Sequence, residues 1–414
     1  MLQAGLTLNR AMNWADFREA LAGWLTPVSN FLYADVDGHH GYALGGDVPR
    51  RKQGDGRLPV PGWTGEYDWD GLIPAIELPA ALDPPEAVIV SANHRIAGEA
   101  YRHHQHVSGE WLNGYRAARA HEVLAATDRH TVTTLAHMQL DVFCQPGFEL
   151  ARLVADLVLP QDDRLLLQAQ QVLADWDGWL QPQSVAACIY TMLRYHIKQR
   201  LFTHLDDLLY AAAGSGLFTT PVASLYFDFR LMPGLLTQLQ QSADRSIVLP
   251  QPGSPEASDT LLLATCFAEA IGDLQQRFGD QIENWQYSQL HTLTLRHPLG
   301  RNALLERIFN RGPWPTGGDM DTICMGYTPF DLEQLQLYTG PAYRQICDPG
   351  NWNASVSVIA GGQSGHPASP HYDDMMGMWR RGDYHPMLWQ RSQVEQHMIA
   401  TLTFCPDSVT MQKR

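Results

Sequence analysis

An α+β fold with a helical insertion is what this chain predicts, on three observations. Residues 31–36 and 40–44 are short apolar-rich runs joined through Asp37-Gly38, a strong signal for an antiparallel hairpin. Residues 149–241 are dense in helix-compatible sequence instead: ELARLVADLVL, LLLQAQQVLADW and VAACIYTMLRYHIKQRLFTHLDDLLYAAA. After residue 291 strand-and-turn patterning returns, with an alternating strand over 355–360. The chain therefore divides into 1–146, a mainly helical insertion over 147–290, and 291–414, which returns to sheet. A content of 45% hydrophobic and 18% charged residues in 414 is that of a packed globular protein.

Along the chain, Asn13 can cap a helix with Asp16 in its first turn, and Trp14, Phe17, Leu21 and Trp24 fall on one face. Pro27 follows the helix end. Residues 49–71 form a Pro/Gly/Trp loop in which Trp63, Tyr67 and Trp69 give enough apolar weight to pack on the body. Residues 87–92 are a short apolar and small-residue run that reads as a buried strand ending at Asn93. Residues 109–126 are helical in composition. Residues 247–258 read as a Pro-rich linker, 259–278 as a further helix, and 303–309 as a short one. Thr322 begins a candidate strand after the turn TGGDMDT. Asp373 and Asp374 open a helix that ends near Arg381.

A formal net charge of −15 disfavours a general nucleic-acid binder, which would carry a basic stripe. No run approaches the roughly 18–20 apolar residues of a membrane span, and no basic-then-apolar leader stands at Met1. The six cysteines (Cys144, Cys188, Cys266, Cys324, Cys347 and Cys405) include no CxxC pair and read as buried free thiols. His39 and His40 sit in a hairpin, where neighbouring side chains point to opposite faces and cannot share a metal. His103, His104 and His106 read as a solvated loop without the Cys or carboxylate that would complete a metal site. TGGDMDT lacks the lysine of a phosphate-binding loop.

Asn93 is the residue with the most chemistry in it. A carboxamide at a strand end can hold an N–H donor where negative charge develops on a substrate oxygen, and such a donor is often worth about 3 kcal/mol in the transition state. Asparagine after a strand is also a common turn former.

The ordered blocks NFLYADVDGHHGYALGG (30–46), RLPVPGWTGEYDWDGLIP (57–74), PPEAVIVSANHR (84–95) and GGQSGHPASPHYDDMMGMWRRGDYHPM (361–387) resemble the penicillin acylase family, over about residues 13–406. Members of this family are amidases whose catalytic group is the free N-terminal residue of a self-cleaved precursor. The resemblance implies part of an N-terminal-nucleophile αββα sandwich, two stacked antiparallel sheets covered by helices. It implies that residues 1–146 carry the oxyanion asparagine, Asn93. Arg116 follows Asn93 by 23 residues and Trp111 by five, matching an arginine that orients this asparagine in better-known acylases. The segment holding Trp63, Tyr67 and Trp69 lies near the substrate cleft in the family, although an aromatic loop closing the core edge fits the residues as well. The block with Gln363, Ser364 and His371 is mainly architectural there.

Two departures follow from the same resemblance. The family's serine is exposed at a Gly–Ser bond and usually followed by Asn; here Gly214-Ser215 and Gly253-Ser254 are not, and both read as ordinary turns. The chain's start matches the family partway through the catalytic subunit. The expected partner is thus the N-terminal acylase portion that carries the nucleophile, and this chain alone is not expected to hydrolyse amides. Many members hold a structural calcium, which the resemblance leaves possible here; but His104 and Gly56 stand where one branch has an aspartate and a carbonyl-donating proline, a poor donor set for it, and no other cofactor is expected. The expected substrate is a small acylated amide, such as a β-lactam or an N-acyl-homoserine lactone. A periplasmic or secreted location would follow if the complete precursor carries a signal peptide. A binding module of the same fold, or a non-catalytic remnant, are the competing readings.

Overall fold

The computed structural model describes residues 1–56, 58–107, 111–202, 221–251, 254–328, 336–337 and 339–404, with the backbone alone for 202, 221–229, 248–251 and 254–260. Helices and small antiparallel sheets alternate along it, as the α+β reading expects. Gly214-Ser215, Gly253 and Cys405 lie outside the described residues.

Near the N-terminus, α1 (Leu2–Leu8) and α2 (Trp14–Ala22) precede a three-stranded sheet of β1 (Ser29–Ala34), β2 (His40–Gly45) and β5 (Ala80–Leu82), in the order β1-β2-β5. The Asn13 side chain accepts the Asp16 N–H at 3.0 Å, the cap that the sequence promised. The helix face of Trp14, Phe17 and Leu21, with Trp24 just past the helix end, then packs on Phe31 and Tyr33, alternate residues of β1. Gly41 is required in β2, because a Cβ there would lie 2.6 Å from the Trp14 ring.

The connection from β1 to β2 is organised by Asp35, whose carboxylate accepts the N–H groups of Asp37 and His39 and the Tyr33 hydroxyl. Its far end is tied to β5 by Asp83. One carboxylate oxygen lies 2.7 Å from Nδ1 of His39 and the other 3.5 Å from Nδ1 of His40. The two histidines thus share a carboxylate, and among the described residues no cluster of three metal-ligating side chains exists.

Residues 142–290 enclose the principal core. In it α6 (Gln145–Ala155), α7 (Arg164–Ala174), α8 (Val185–Phe202) and the helix Leu263–Phe278 pack around Leu150, Leu173, Ile189, Leu193, Phe267 and Trp285. The helix α8 is central and is buried on most of its circumference, which is why its sequence shows little amphipathic contrast. The C-terminal part adds β8 (Thr292–Leu295) with β9 (Arg311–Pro315), and the sheet of β10 (Tyr343–Ile346), β11 (Val356–Ile359) and β12 (His385–Pro386). The helix Met376–Arg381 ends at Gly382, which is left-handed as a C-cap glycine should be.

Several sequence expectations fail for identifiable reasons. Residues 87–92 are not a strand. Pro84–Ala87 closes a turn, Ala87 itself has φ 54°, and the chain beyond is half-buried without a ladder partner among the described residues. The Pro-rich linker at 247–258 is instead a hairpin of β6 (Ser246–Gln251) and β7 (Ser254–Leu262), so the following helix begins at Leu263. Pro250 falls where the pairing register shifts, a place at which a missing N–H is tolerated. The strand expected from Thr322 is a run of bends, and the helix expected at 303–309 is the single turn Glu306–Phe309. The histidine segment is not a solvated loop: His104–Val107 is a short helix, and buried His103 contacts Glu77 at 2.9 Å. Of the cysteines, Cys144, Cys188 and Cys266 are buried free thiols as expected, Cys324 is half-buried, and Cys347 is exposed.

Two outcomes test this packing. Leu193→Ala removes a side chain with no exposed surface and is expected to cost about 2–5 kcal/mol in urea unfolding monitored by tryptophan fluorescence. Hydrogen bonding to Asp83 raises the pKa of His39, so its NMR titration midpoint should lie above 6.5 and drop in Asp83→Asn. The stabilisation from this pair is complete below the unfolded value and is lost as pH rises through the raised one.

Candidate active site

Asn93 adopts φ 62°, the left-handed region that asparagine tolerates better than most residues. This turn projects the side chain outward, and Asn93 is exposed. Its backbone carbonyl accepts the Leu112 N–H at 3.1 Å. Arg116, the second residue of α4 (Tyr115–Ala125), donates from Nη2 to Oδ1 of Asn93 at 2.8 Å and to the Ala92 carbonyl at 3.0 Å. A guanidinium only donates. The Asn93 carboxamide must therefore turn its oxygen to Arg116, which leaves the Nδ2 hydrogens directed away from it. That is the arrangement a fixed donor for a developing oxyanion requires.

Burial pulls the Arg116 pKa below its usual value, while the Asp321 charge opposes that shift. Next to Asn93, His94 is pushed down by burial and by the charges of His121 and Arg116, which favours neutral imidazole. No Ser or Thr hydroxyl or Cys thiol bonds to Asn93 among the described residues.

The aromatic loop behaves differently from expectation. Its base is closed by β3 (Pro49–Arg51) pairing with β4 (Trp69–Leu72). Trp63 is 89% exposed and Trp69 64%, so neither indole packs on the body, and only Tyr67 is half-buried. In the block at 361–374, Ser364 and His371 serve the turn itself: the Ser364 N–H donates to the His371 carbonyl, and His371 pairs with Asp374.

A buried polar cluster that sequence reasoning missed lies behind α4. Asn113 donates from Nδ2 to Oδ1 of Asp321 at 2.7 Å, and its own Oδ1 accepts the N–H of Tyr115, the first residue of α4. Arg194 of α8 reaches the other oxygen of Asp321 at 3.0 Å and Asp319 at 3.4 Å. Both aspartates come from the TGGDMDT turn. Gly318 there has φ 79°, and a Cβ on it would lie 2.3 Å from the Cys324 carbonyl oxygen, so the turn is closed to any larger residue. Burial, then the charge of Asp321, raises the Asp319 pKa. A cavity of about 40 Å³ adjoins the cluster, lined in part by Tyr190, Arg194, His291 and Asp319. The doublet Asp319-x-Asp321 was visible in the sequence, but no spacing ties it to Asn113, 208 residues away. A larger cleft of about 960 Å³ lies between β8 and residues 336–337 and 339–342, with Leu295, Ala360 and Trp379 among its lining residues and Arg296 and Arg301 on its exposed rim. Neither Asn93 nor Arg116 lines either cavity.

The penicillin amidase family model matches residues 1–396. An acyl-homoserine lactone acylase of Pseudomonas aeruginosa is 29% identical over 388 residues, covering 86% of this chain and 43% of the relative. A penicillin acylase 2 proenzyme of Pseudomonas sp. strain SE83 is 29% identical over 395 residues, covering 95% and 48%. Penicillin G acylase of Escherichia coli is 26% identical over 428 residues, covering 94% and 46%. The chain thus spans about half the length of these relatives. Among solved structures, the thermostable penicillin G acylase from Alcaligenes faecalis superimposes with a TM-score of 0.63 at 18% identity, over 99% of this chain and 73% of that one, a likeness of fold.

The buried cluster makes a pH prediction. Burial lowers the pKa of His291 to about 4, so between that value and 6.5 the unfolded chain binds a proton that the folded one excludes. Stability then falls as pH drops through this window, by on the order of 3 kcal/mol. In His291→Asn, chemical denaturation at pH 6.5 and pH 4 should reveal a distinctly smaller loss.

Proposed function

Because this chain belongs to the penicillin amidase family, we propose that it forms the oxyanion-holding part of an enzyme that hydrolyses the amide of an N-acylated small molecule. The observation that carries the reading is the hydrogen bond from Arg116 to Oδ1 of Asn93, which turns the amide N–H outward. In this reading an N-terminal serine, supplied by the acylase portion outside this sequence, attacks the amide carbonyl carbon. Its own α-amino group, with an unperturbed pKa of about 7.7–8.0, takes the hydroxyl proton. Negative charge gathers on the carbonyl oxygen, and Nδ2–H of Asn93 donates to it while Arg116 keeps the carboxamide from rotating. Collapse expels the amine with that proton and leaves an acyl-serine, which water then cleaves.

Similarity to an acyl-homoserine lactone acylase and to penicillin acylases supports either an N-acyl-homoserine lactone or a β-lactam side-chain amide as substrate. In the same reading the resemblance puts Trp63, Tyr67 and Trp69 on the substrate side, and the exposed indoles of Trp63 and Trp69 are compatible with that role. No metal or other cofactor is needed for this chemistry.

The purified chain is expected to give no turnover of a chromogenic phenylacetyl amide or an acyl-homoserine lactone, and to gain it when the nucleophile-bearing portion is supplied. In that active form Asn93→Ala should lower kcat by roughly 10²–10³ with little change in KM. Turnover by the chain alone overturns the assignment of the nucleophile. Full activity in Asn93→Ala overturns the oxyanion role. Ligand binding without hydrolysis in every form would leave a binding module of the same fold.

A further inference from the structure

We propose that Asn113, clamped by Asp321, is a positioning residue for the oxyanion asparagine; the inference rests on the amidase reading of Asn93. Asn93 is held from two sides, by the Leu112 amide at its carbonyl and by the Arg116 guanidinium at Oδ1. Asn113 lies between these two holders in sequence. Its side chain reads both ways: Oδ1 takes the N–H of Tyr115 and so fixes the first turn of α4, while Nδ2 is anchored on Asp321.

The anchor is rigid. Asn113 is 9% exposed and the Asp321 side chain 0%. The second oxygen of Asp321 is occupied by Arg194 at 3.0 Å, on the deeply buried helix α8 of the principal core. The Asp321 backbone N–H donates to Asp319 Oδ1 at 2.8 Å, and Thr322 Oγ1 spans the turn to the carbonyls of Asp319 and Cys324. Asp321 thereby joins the helical core to the loop that carries Leu112. Its charge also acts on Arg116 directly. A shift of the α4 start moves Arg116 and Leu112 together, and with them the direction of the Asn93 amide. Misplacement by about 1 Å at a reacting centre can cost 10²-fold in rate.

Arg119, one turn further along α4, is bonded to Asp141 at 2.8 Å. That contact ties down the helix body whether or not Asn113 is present, so truncation at Asn113 should loosen the first turn without releasing the helix.

The test uses hydrogen exchange on the full chain and kinetics on the nucleophile-supplied form. In Asn113→Ala, the amides of residues 112 and 115 should exchange faster, while α8 keeps its protection. The same variant should lower kcat roughly 10- to 100-fold with KM within about twofold. Asp321→Asn keeps one oxygen acceptor but sets an amide N–H against Arg194, which retains Asp319, so it should lower kcat less than Asp321→Ala, which removes both acceptors. Unchanged exchange at residue 112 overturns the proposal, as does a loss of protection spread through α8, and so does an unaltered kcat in Asn113→Ala. Absence of hydrolysis in every form, with the local exchange response intact, removes the amidase reading and leaves the brace standing.

Discussion

A guanidinium has five donors and no acceptor, and the organisation of this site depends on that asymmetry. Arg116 can meet Asn93 only at its carbonyl oxygen, so one hydrogen bond of 2.8 Å decides which end of a nearly symmetric carboxamide faces outward. A lysine would supply a donor too, but as a point charge that leaves the amide free to swing about it. The same Nη2 also donates to the Ala92 carbonyl, so the backbone beneath Asn93 is held together with the side chain.

That arrangement has a conformational cost. Asn93 sits at positive φ, and so does Ala87 a few residues before it, a disfavoured conformation for a residue with a Cβ. The strain is held in place by contacts arriving from α4 and from the segment before it. Those elements are fixed in turn by groups with almost no access to water, Asp141, Arg194 and Asp321 among them. Buried charges persist because each is paired: a single one left alone would carry a desolvation penalty of several kcal/mol. Asn93 is thus exposed, while Leu112 and Arg116 that hold it are half-buried and Asn113 and Asp321 behind them are buried, a gradient suited to a preorganised donor.

The resemblance carried by the sequence led to Asn93 and Arg116 as one functional unit, and they are in contact. It did not lead to the state of the aromatic loop. Trp63 and Trp69 look like core residues by composition, yet both face solvent, because apolarity says that a surface favours cover and says nothing about which element provides it. Residues 87–92 fail for a related reason. An apolar run becomes a strand only when another strand takes its hydrogen bonds, and here none among the described residues does. The hairpin at 246–262 errs in the opposite direction, since its prolines resembled a linker's while the register shift at Pro250 accommodates them.

What the amino-acid order determined alone was local: the Asn13 cap, the turn at Asp37-Gly38, the helical character of 149–202, the glycines of TGGDMDT. Each is set by steric or hydrogen-bonding preferences among residues a few positions apart. The tertiary structure alone decided that Asn113, Asp321 and Arg194 meet, although 208 and 127 positions separate the bonded pairs. No periodicity encodes such a meeting. It arises because burying the helical core carries Arg194 inward, and a buried cation needs polar partners wherever the chain has brought them.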